Sequence, residues 1–299
     1  MRLLVGFDGS DGGRDALELA RVLAEPSAAQ VLVVAIVPYG PLPVDFRALE
    51  SDAAAELFEE AREQLAGLEV ETRGFGGGSP AGVMTDLAEV EQIDLVVVGS
   101  PHRGAIGRAL IGSVAESLLH GAPCPVVVAP RGYAERRHDP PRRVAVAYDG
   151  TPEAKAALRH AETTATPSAA AIEVLTVVAP PVAMPGVVGY TPIDPPEPER
   201  IVAEAVNSVD SGLAASGRRL DGPPARTLAE ACEDGVDLLV AGSRGYGPLM
   251  RVLLGSVSTQ LVHLAPCPVL VVPRPSQSAA ATGERVGVGG EMREQAKEE

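Results

Sequence analysis

The chain has 299 residues, enough for two domains with separate cores, and its 45% hydrophobic and 22% charged residues are ordinary for a folded globular protein. A net charge of −15 argues against nucleic acid or anionic membrane as the main partner, since those demand a surplus of Lys and Arg; a local basic pocket for a small anion stays open. Aromatics are only 3%, so the cores fall to Val, Leu, Ile and Ala, and three scattered cysteines, Cys124, Cys232 and Cys267, read as reduced, packed thiols rather than a disulfide framework or zinc site.

In chain order, MRLLVGFDGS opens on a strand at 3–7 and meets the turn DGS, and a helix follows over 12–24 with Ser10 placed as its N-cap. A second strand spans 31–37, a Pro-rich loop leads to an Ala/Glu-rich helix at about 48–66, and a weaker strand at 68–75 precedes a helix at 80–91. The fourth strand, in IDLVVVGS (93–100), runs into a Gly-rich segment, then a helix at 113–120, and PCPVVVAP closes the unit.

The same order then repeats. RRVAVAYDGT (142–151) matches RLLVGFDGS (2–10), and VDLLVAGS (236–243) matches IDLVVVGS. HLAPCPVLVVP (263–273) shares eight of eleven positions with HGAPCPVVVAP (120–130). GSRGYGPLMRVLLGSVS (242–258) shares eight of seventeen with GSPHRGAIGRALIGSVA (99–115). The second copy reads as strand 144–148, helix 152–164 capped by Thr151, strand 172–178, helix 197–214, a strand near 217–221, helix 223–234, the fourth strand, helix 256–263 and PCPVLVVP. Strands that alternate with helices and run as continuous Val/Leu/Ile stretches indicate a parallel sheet covered on both faces. The expected division is a domain at 1–131, a charged linker at 132–143, a domain at 144–273 and an aperiodic tail at 274–299 that reads as disordered. The closing strand of each copy is an exposed edge, and edges of this kind are paired or covered, so the two domains are expected to form an internal pseudo-dimer, free to dimerise further. No cleavable leader is visible and no apolar run reaches membrane-spanning length, so the expected location is the cytoplasm.

In an open parallel sheet, ligands collect beyond the carboxyl ends of the strands where the strand order switches sides. Both the DGS/DGT turn and the Gly-rich segment fall there. Gly242 lets backbone pass close to a ligand, and Gly255-Ser256 opens a helix whose free amides and dipole favour an anion. Asp149, acceptor-only when ionised, suits a ribose hydroxyl or a base amino group and repels phosphate. Neither copy has a Lys before the terminal Ser, which excludes a Walker A loop, and no G-x-G-x-x-G follows the first strand, which argues against a nicotinamide site.

G-x2-G-x9-G-S at Gly242, Gly245, Gly255 and Ser256, with VAYDGT before it and APCPVLVVP after it, resembles the universal stress protein family in its tandem form. The resemblance covers residues 1 to 273. It implies, in each copy, an open five-stranded parallel α/β sheet of the Rossmann-like adenine-nucleotide-hydrolase type and, in the branch of the family that carries the motif, bound ATP or another adenine nucleotide, expected with Mg2+. By that resemblance Asp149 contacts the adenosine, Val177 lines the base and Ala241 touches the nucleoside. Gly242, Gly245, Gly255, Ser256, Val257 and Ser258 hold phosphates and ribose. The matching positions of the first copy are Asp8, Ile36, Val98, Gly99, Gly112, Ser113 and Val114.

The first copy departs where His102 stands for Gly245. A non-glycine residue at positive φ costs about 1–2 kcal/mol, or roughly tenfold in affinity, so two sites of unequal strength are expected. Arg108 and Arg251, inside the loops, are candidate phosphate or interface contacts, whereas His120 and His263 read as helix-end caps. The expected function is an ATP-binding stress sensor or regulator, at most a slow ATPase, because no general base is evident. Two alternatives stand beside it: a nucleotide-independent interaction module, and an adenylating enzyme, the latter resting on a faint likeness of GSDGGRDA (9–16) to an ATP-pyrophosphatase loop.

Overall fold

Runs such as LLV, VLVV and LVVV have no polar face, so each can form only a strand sandwiched between two helical layers, and this is their position in the structure. The computed structural model describes residues 1–37, 52–100, 112–179, 197–243 and 255–273. The first repeat comprises β1 (Arg2–Gly6), α1 (Asp11–Ala24), β2 (Gln30–Val37), α2 (Asp52–Gln64), β3 (Val70–Gly76), α3 (Pro80–Val90), β4 (Leu95–Gly99), α4 (Ser113–Gly121) and β5 (Val126–Ala129). The second comprises β6 (Arg143–Ala147), α5 (Pro152–Ala165), β7 (Ala171–Val178), α6 (Pro198–Ser208), β8 (Ala215–Asp221), α7 (Pro224–Cys232), β9 (Leu238–Gly242), α8 (Ser256–Leu264) and β10 (Val269–Val272).

The ten strands form one sheet in the order β3-β2-β1-β4-β5-β10-β9-β6-β7-β8. Pairing is parallel within each half, and the halves meet where β5 and β10 pair antiparallel, with Val128 opposite Val269 and Val126 opposite Val271. The closing strands are thus each other's partners, as the edge argument requires. Alternate strand residues feed two continuous cores. Leu3, Val5, Val127, Val144 and Leu270 face α1 and α5, whereas Leu4, Val96, Val126, Val269 and Val271 face the side of α3, α4, α7 and α8.

Local chemistry sets the element ends. Gly9 and Gly150 take φ of +75° and +80°, as the DG turns after β1 and β6 need, and Ser10 and Thr151 cap α1 and α5 by accepting from Gly13 and Ala154 N–H at 3.1 and 3.2 Å. The largest departure from the expected helix bounds is in α6, which stops at Ser208 rather than 214, because Asp210 accepts from Gly212 N–H at 2.7 Å and turns the chain into β8.

The segment between the repeats is clamped rather than loose. The Asp15 carboxylate, buried on α1, accepts from Gly132 and Ala134 N–H at 3.0 and 2.7 Å. One turn on, the buried Glu18–Arg21 pair accepts from His138 N–H at 2.9 Å and donates to His138 C=O, while Tyr133 and His138 rings stack at 3.9 Å. The counterparts on α5, Ala156 and Arg159, offer no such acceptors.

Burial pushes the Glu18 carboxyl up, but the Arg21 guanidinium and the His138 N–H outweigh it and hold it below its ordinary value of 4.5. A depressed folded pKa contributes stability that is complete above the unfolded value and is lost as pH falls through the folded one. Glu18→Gln should therefore lower stability by about 2 kcal/mol at pH 7, with the gap to wild type closing below the ordinary carboxylate range. Urea unfolding across pH reads this, and a gap that stays constant with pH would remove the charge from the account.

A second prediction concerns the ends of β4 and β9. A Cβ on Gly99 would overlap the Gly12 carbonyl oxygen, whereas one on Gly242 would lie 2.8 Å from the Glu153 carbonyl. Both Gly→Ala variants must shift backbone, and Gly99→Ala should cost more, about 3 kcal/mol against about 1–2 for Gly242→Ala. Thermal unfolding of the pair checks the ranking.

Candidate functional site

In each half the chain runs from β1 to β3 on one side and then places β4 on the other side of β1, so the strand order switches between β1 and β4, and likewise between β6 and β9. A cavity opens beyond each switch.

The cavity of the second repeat, about 170 Å³, brings together Asp149, Val177, Ala241, Gly242, Gly255, Ser256, Val257 and Ser258. Its floor is apolar: Ala241 is buried in the core, and Ala147, Val177 and Val257 pack against it. Asp149 hangs at its rim, where Oδ1 accepts from the Thr151 N–H at 3.2 Å and hydroxyl at 2.6 Å, which fixes the carboxylate just beyond β6. Two helices begin here with different caps. Thr151 satisfies the start of α5 with its side chain, whereas Gly255 gives the start of α8 no side-chain cap, an arrangement in which first-turn amides can meet an external acceptor. Ser256 stands exposed at that start. Ser258 is buried and donates its hydroxyl to Gly242 C=O at 2.9 Å, so it ties α8 to the end of β9.

The first repeat builds the same arrangement around about 360 Å³, with Asp8, Ile36, Val98, Gly99, Gly112, Ser113 and Val114 all on the wall. Asp8 Oδ1 accepts from Ser10 N–H at 3.0 Å, the same turn as at Asp149, and Gly112 leaves the start of α4 without a side-chain cap. Gly245 and its counterpart His102, with Arg108 and Arg251, lie outside the described residues.

Several wall residues carried no sequence signal. Met84 from α3 lines the first cavity and Leu228 from α7 the second; Gly6 sits under Met84, where a Cβ would come within 2.8 Å of its sulfur, and Ala147 takes the place of Gly6 in the second wall. Tyr148 replaces Phe7, and its hydroxyl pKa is raised by burial and by Glu204. Glu153 lines the second cavity where Gly12 lines the first, and α5's first turn is where such a carboxylate could have been noticed. The thiols lie apart from both cavities. Burial lifts Cys124 to about 11, and contact with Cys232, together with burial, lifts Cys267 well above its ordinary value, so both stay protonated in the folded chain. His120 Nδ1 meets Glu116 C=O at 2.7 Å at the end of α4. Among the described residues no cluster of three or more His, Cys, Asp or Glu is placed to hold a metal, and no helix is long and apolar enough to cross a membrane.

Comparison with known proteins agrees with this architecture. The model of the universal stress protein family matches twice, over residues 1–130 and 141–273. A universal stress protein of Mycolicibacterium smegmatis is 29% identical over 300 residues, spanning 90% of this chain and 96% of the relative. One from Mycobacterium tuberculosis is 28% identical over 305 residues, spanning 91% and 100%. The crystal structure of a universal stress protein from Archaeoglobus fulgidus shares the fold, with a TM-score of 0.67 at 23% identity, covering 91% of this chain and 98% of that one. Two family domains in tandem, joined through their last strands into one sheet, make this chain a member of the universal stress protein family.

Proposed function

We propose that the protein binds an adenine nucleotide, with ATP as the reference ligand, in each of its two switch-point cavities, and that occupancy is the signal it transmits as a stress regulator. The observation that carries this reading is the pairing, in one cavity, of an apolar shelf, a fixed carboxylate and a helix start without a side-chain cap. The shelf of Ala147, Val177 and Ala241 suits a flat base. The Asp149 carboxylate accepts from ribose hydroxyls, and the amides at Ser256 and Val257 face phosphate across the close strand end at Gly242. The first cavity offers Ile36 and Val98, Asp8, and the amides following Gly112 in the same roles.

Regulation is favoured over turnover by the groups available. The carboxylates that end β1 and β6 are held by Ser10 and Thr151 at the strand ends rather than aimed at a phosphate, and they would repel an attacking anion. Any Mg2+ would enter with the nucleotide, on phosphate oxygens.

Calorimetric titration of nucleotide-stripped protein with Mg-ATP tests the reading. Saturation at about two nucleotides per chain is expected, falling to about one in Gly255→Val, because a side chain there fills the space that phosphate requires. Gly255 has φ −63° and ψ 148°, which valine adopts without strain, so the variant should fold. Absence of heat with the wild-type chain would overturn the proposal.

A further inference from the structure

A third cavity, of about 800 Å³, lies away from both strand-order switches and shares no lining residue with either of the cavities found there. Each switch-point cavity is built by a single repeat, whereas this one is built by both. Leu19, Val22 and Leu23 of α1 form one wall, residues 130–142 of the connecting segment another, and the starts of β9 and β10 at Leu238 and Pro268 a third. The volume is within the range of small-molecule sites.

Its charge runs against that of the chain. The net charge is −15, yet residues 131–143 carry five of the 25 Lys and Arg. Four of the five, Arg131, Arg136, Arg137 and Arg142, line the cavity, with Glu135, Asp139 and Asp237 as the acids. Two of those acids are engaged: Asp139 bridges Arg142 at 3.0 Å, and Asp237 accepts from the Arg142 and Arg143 N–H groups at 2.8 and 2.9 Å. Arg131, Arg136 and Arg137 are exposed and, among the described residues, have no hydrogen-bond or ion-pair partner. Solubility does not call for them, since each lowers the magnitude of an already large negative charge.

The backbone that presents these arginines is braced. Arg131 precedes Gly132, whose N–H is held by Asp15, and Arg137 precedes His138, whose N–H and C=O are held by Glu18 and Arg21. Between them the buried Tyr133 stacks on His138. A segment ordered in advance lowers the cost of ordering on binding. The duplication supplies a contrast. The cavity against α5 at the corresponding positions, His160, Thr163 and Thr164, is about 330 Å³ and is lined by no arginine among the described residues.

We propose that the cavity between α1, the connecting segment and the starts of β9 and β10 binds a small polyanion, a molecule with two or more phosphate or carboxylate groups, through Arg131, Arg136 and Arg137. A guanidinium meets either group with two parallel N–H donors, and the Leu and Pro side chains of the wall accept an apolar body. A ligand held there touches both repeats and their connection, so it raises the unfolding temperature of the whole chain. The site is independent of the switch-point cavities and of what they bind.

The experiment uses the full chain with Gly112→Val and Gly255→Val, which close the helix starts of the switch-point cavities to phosphate. Tripolyphosphate and citrate are the probes, read by calorimetry and by thermal unfolding, which also shows that each variant is folded. One site per chain is expected for at least one probe, with a rise in unfolding temperature. Preference for tripolyphosphate identifies phosphate as the recognised group, and preference for citrate identifies carboxylate. Arg136→Gln/Arg137→Gln should weaken binding at least about tenfold. Lys155→Gln/Arg159→Gln removes the same charge from exposed positions on α5 and should change affinity by less than about twofold. The same two double variants are compared in the chain without the valine substitutions, so the outcome does not depend on how those are tolerated. Binding of neither probe, unchanged affinity in Arg136→Gln/Arg137→Gln, or equal weakening by both double variants overturns the proposal, and the nucleotide reading is untouched by any of the three.

Discussion

The antiparallel pairing of β5 with β10 is the contact on which the remaining architecture depends. Each repeat alone would leave a four-residue apolar strand as an open edge, with unpaired amides and carbonyls beside a Val-rich face. Pairing satisfies those groups and makes both cores continuous across the seam, so neither repeat presents a bare flank. It also reverses direction. Because the strands are parallel within a half and antiparallel between halves, the carboxyl ends of β1 and β4 point away from those of β6 and β9. The two cavities therefore open toward opposite ends of the sheet.

That reversal also explains why the connecting segment is short. The end of β5 lies on the same side of the sheet as the start of β6, only β10 and β9 away, a distance of about 14 Å at ordinary strand spacing. Residues 130–142 cross that gap over α1 and are held there by Asp15, Glu18 and Arg21. The buried Glu18–Arg21 pair is a costly thing to remove from water, and it is tolerated because the segment's own backbone supplies the donors and acceptors the pair still needs. The first repeat is thus tied to the segment entering the second by directional bonds as well as by the seam.

Much of this was legible in the sequence, for identifiable reasons. The strands showed as unbroken apolar runs, the caps as Ser10 and Thr151 after a DG turn, and the pairing of the last strands as a consequence of two copies of one exposed edge. These are local signals, or repeats of local signals. What stayed hidden depends on partners far along the chain. Asp15 meets Gly132 across 117 residues, and nothing near Asp15 announces an acceptor for that backbone. Met84 and Leu228 reach their cavities only because α3 packs against β1 and α7 against β7, which their helical spacing does not announce. The end of α6 was misplaced because Ala and Val continue the helical pattern past Ser208 while Asp210 turns the chain by its own side chain.

The duplication gives the site an internal control. Positions that hold the backbone in place are the same in both copies: the aspartates at 8 and 149, the strand-end glycines at 99 and 242, and the helix-opening Gly-Ser pairs at 112–113 and 255–256. Several positions along the wall differ: Gly6 and Ala147, Phe7 and Tyr148, Gly12 and Glu153, Met84 and Leu228. The frame tolerates little, since a Cβ at Gly99 or Gly242 meets backbone that cannot withdraw without moving a helix. The wall tolerates exchange, since bulk lost below at Gly6 is regained above at Met84. The copies therefore share the capacity to present amides and a carboxylate at a sheet switch. They differ in volume and in wall side chains, which govern what each cavity admits rather than whether it forms.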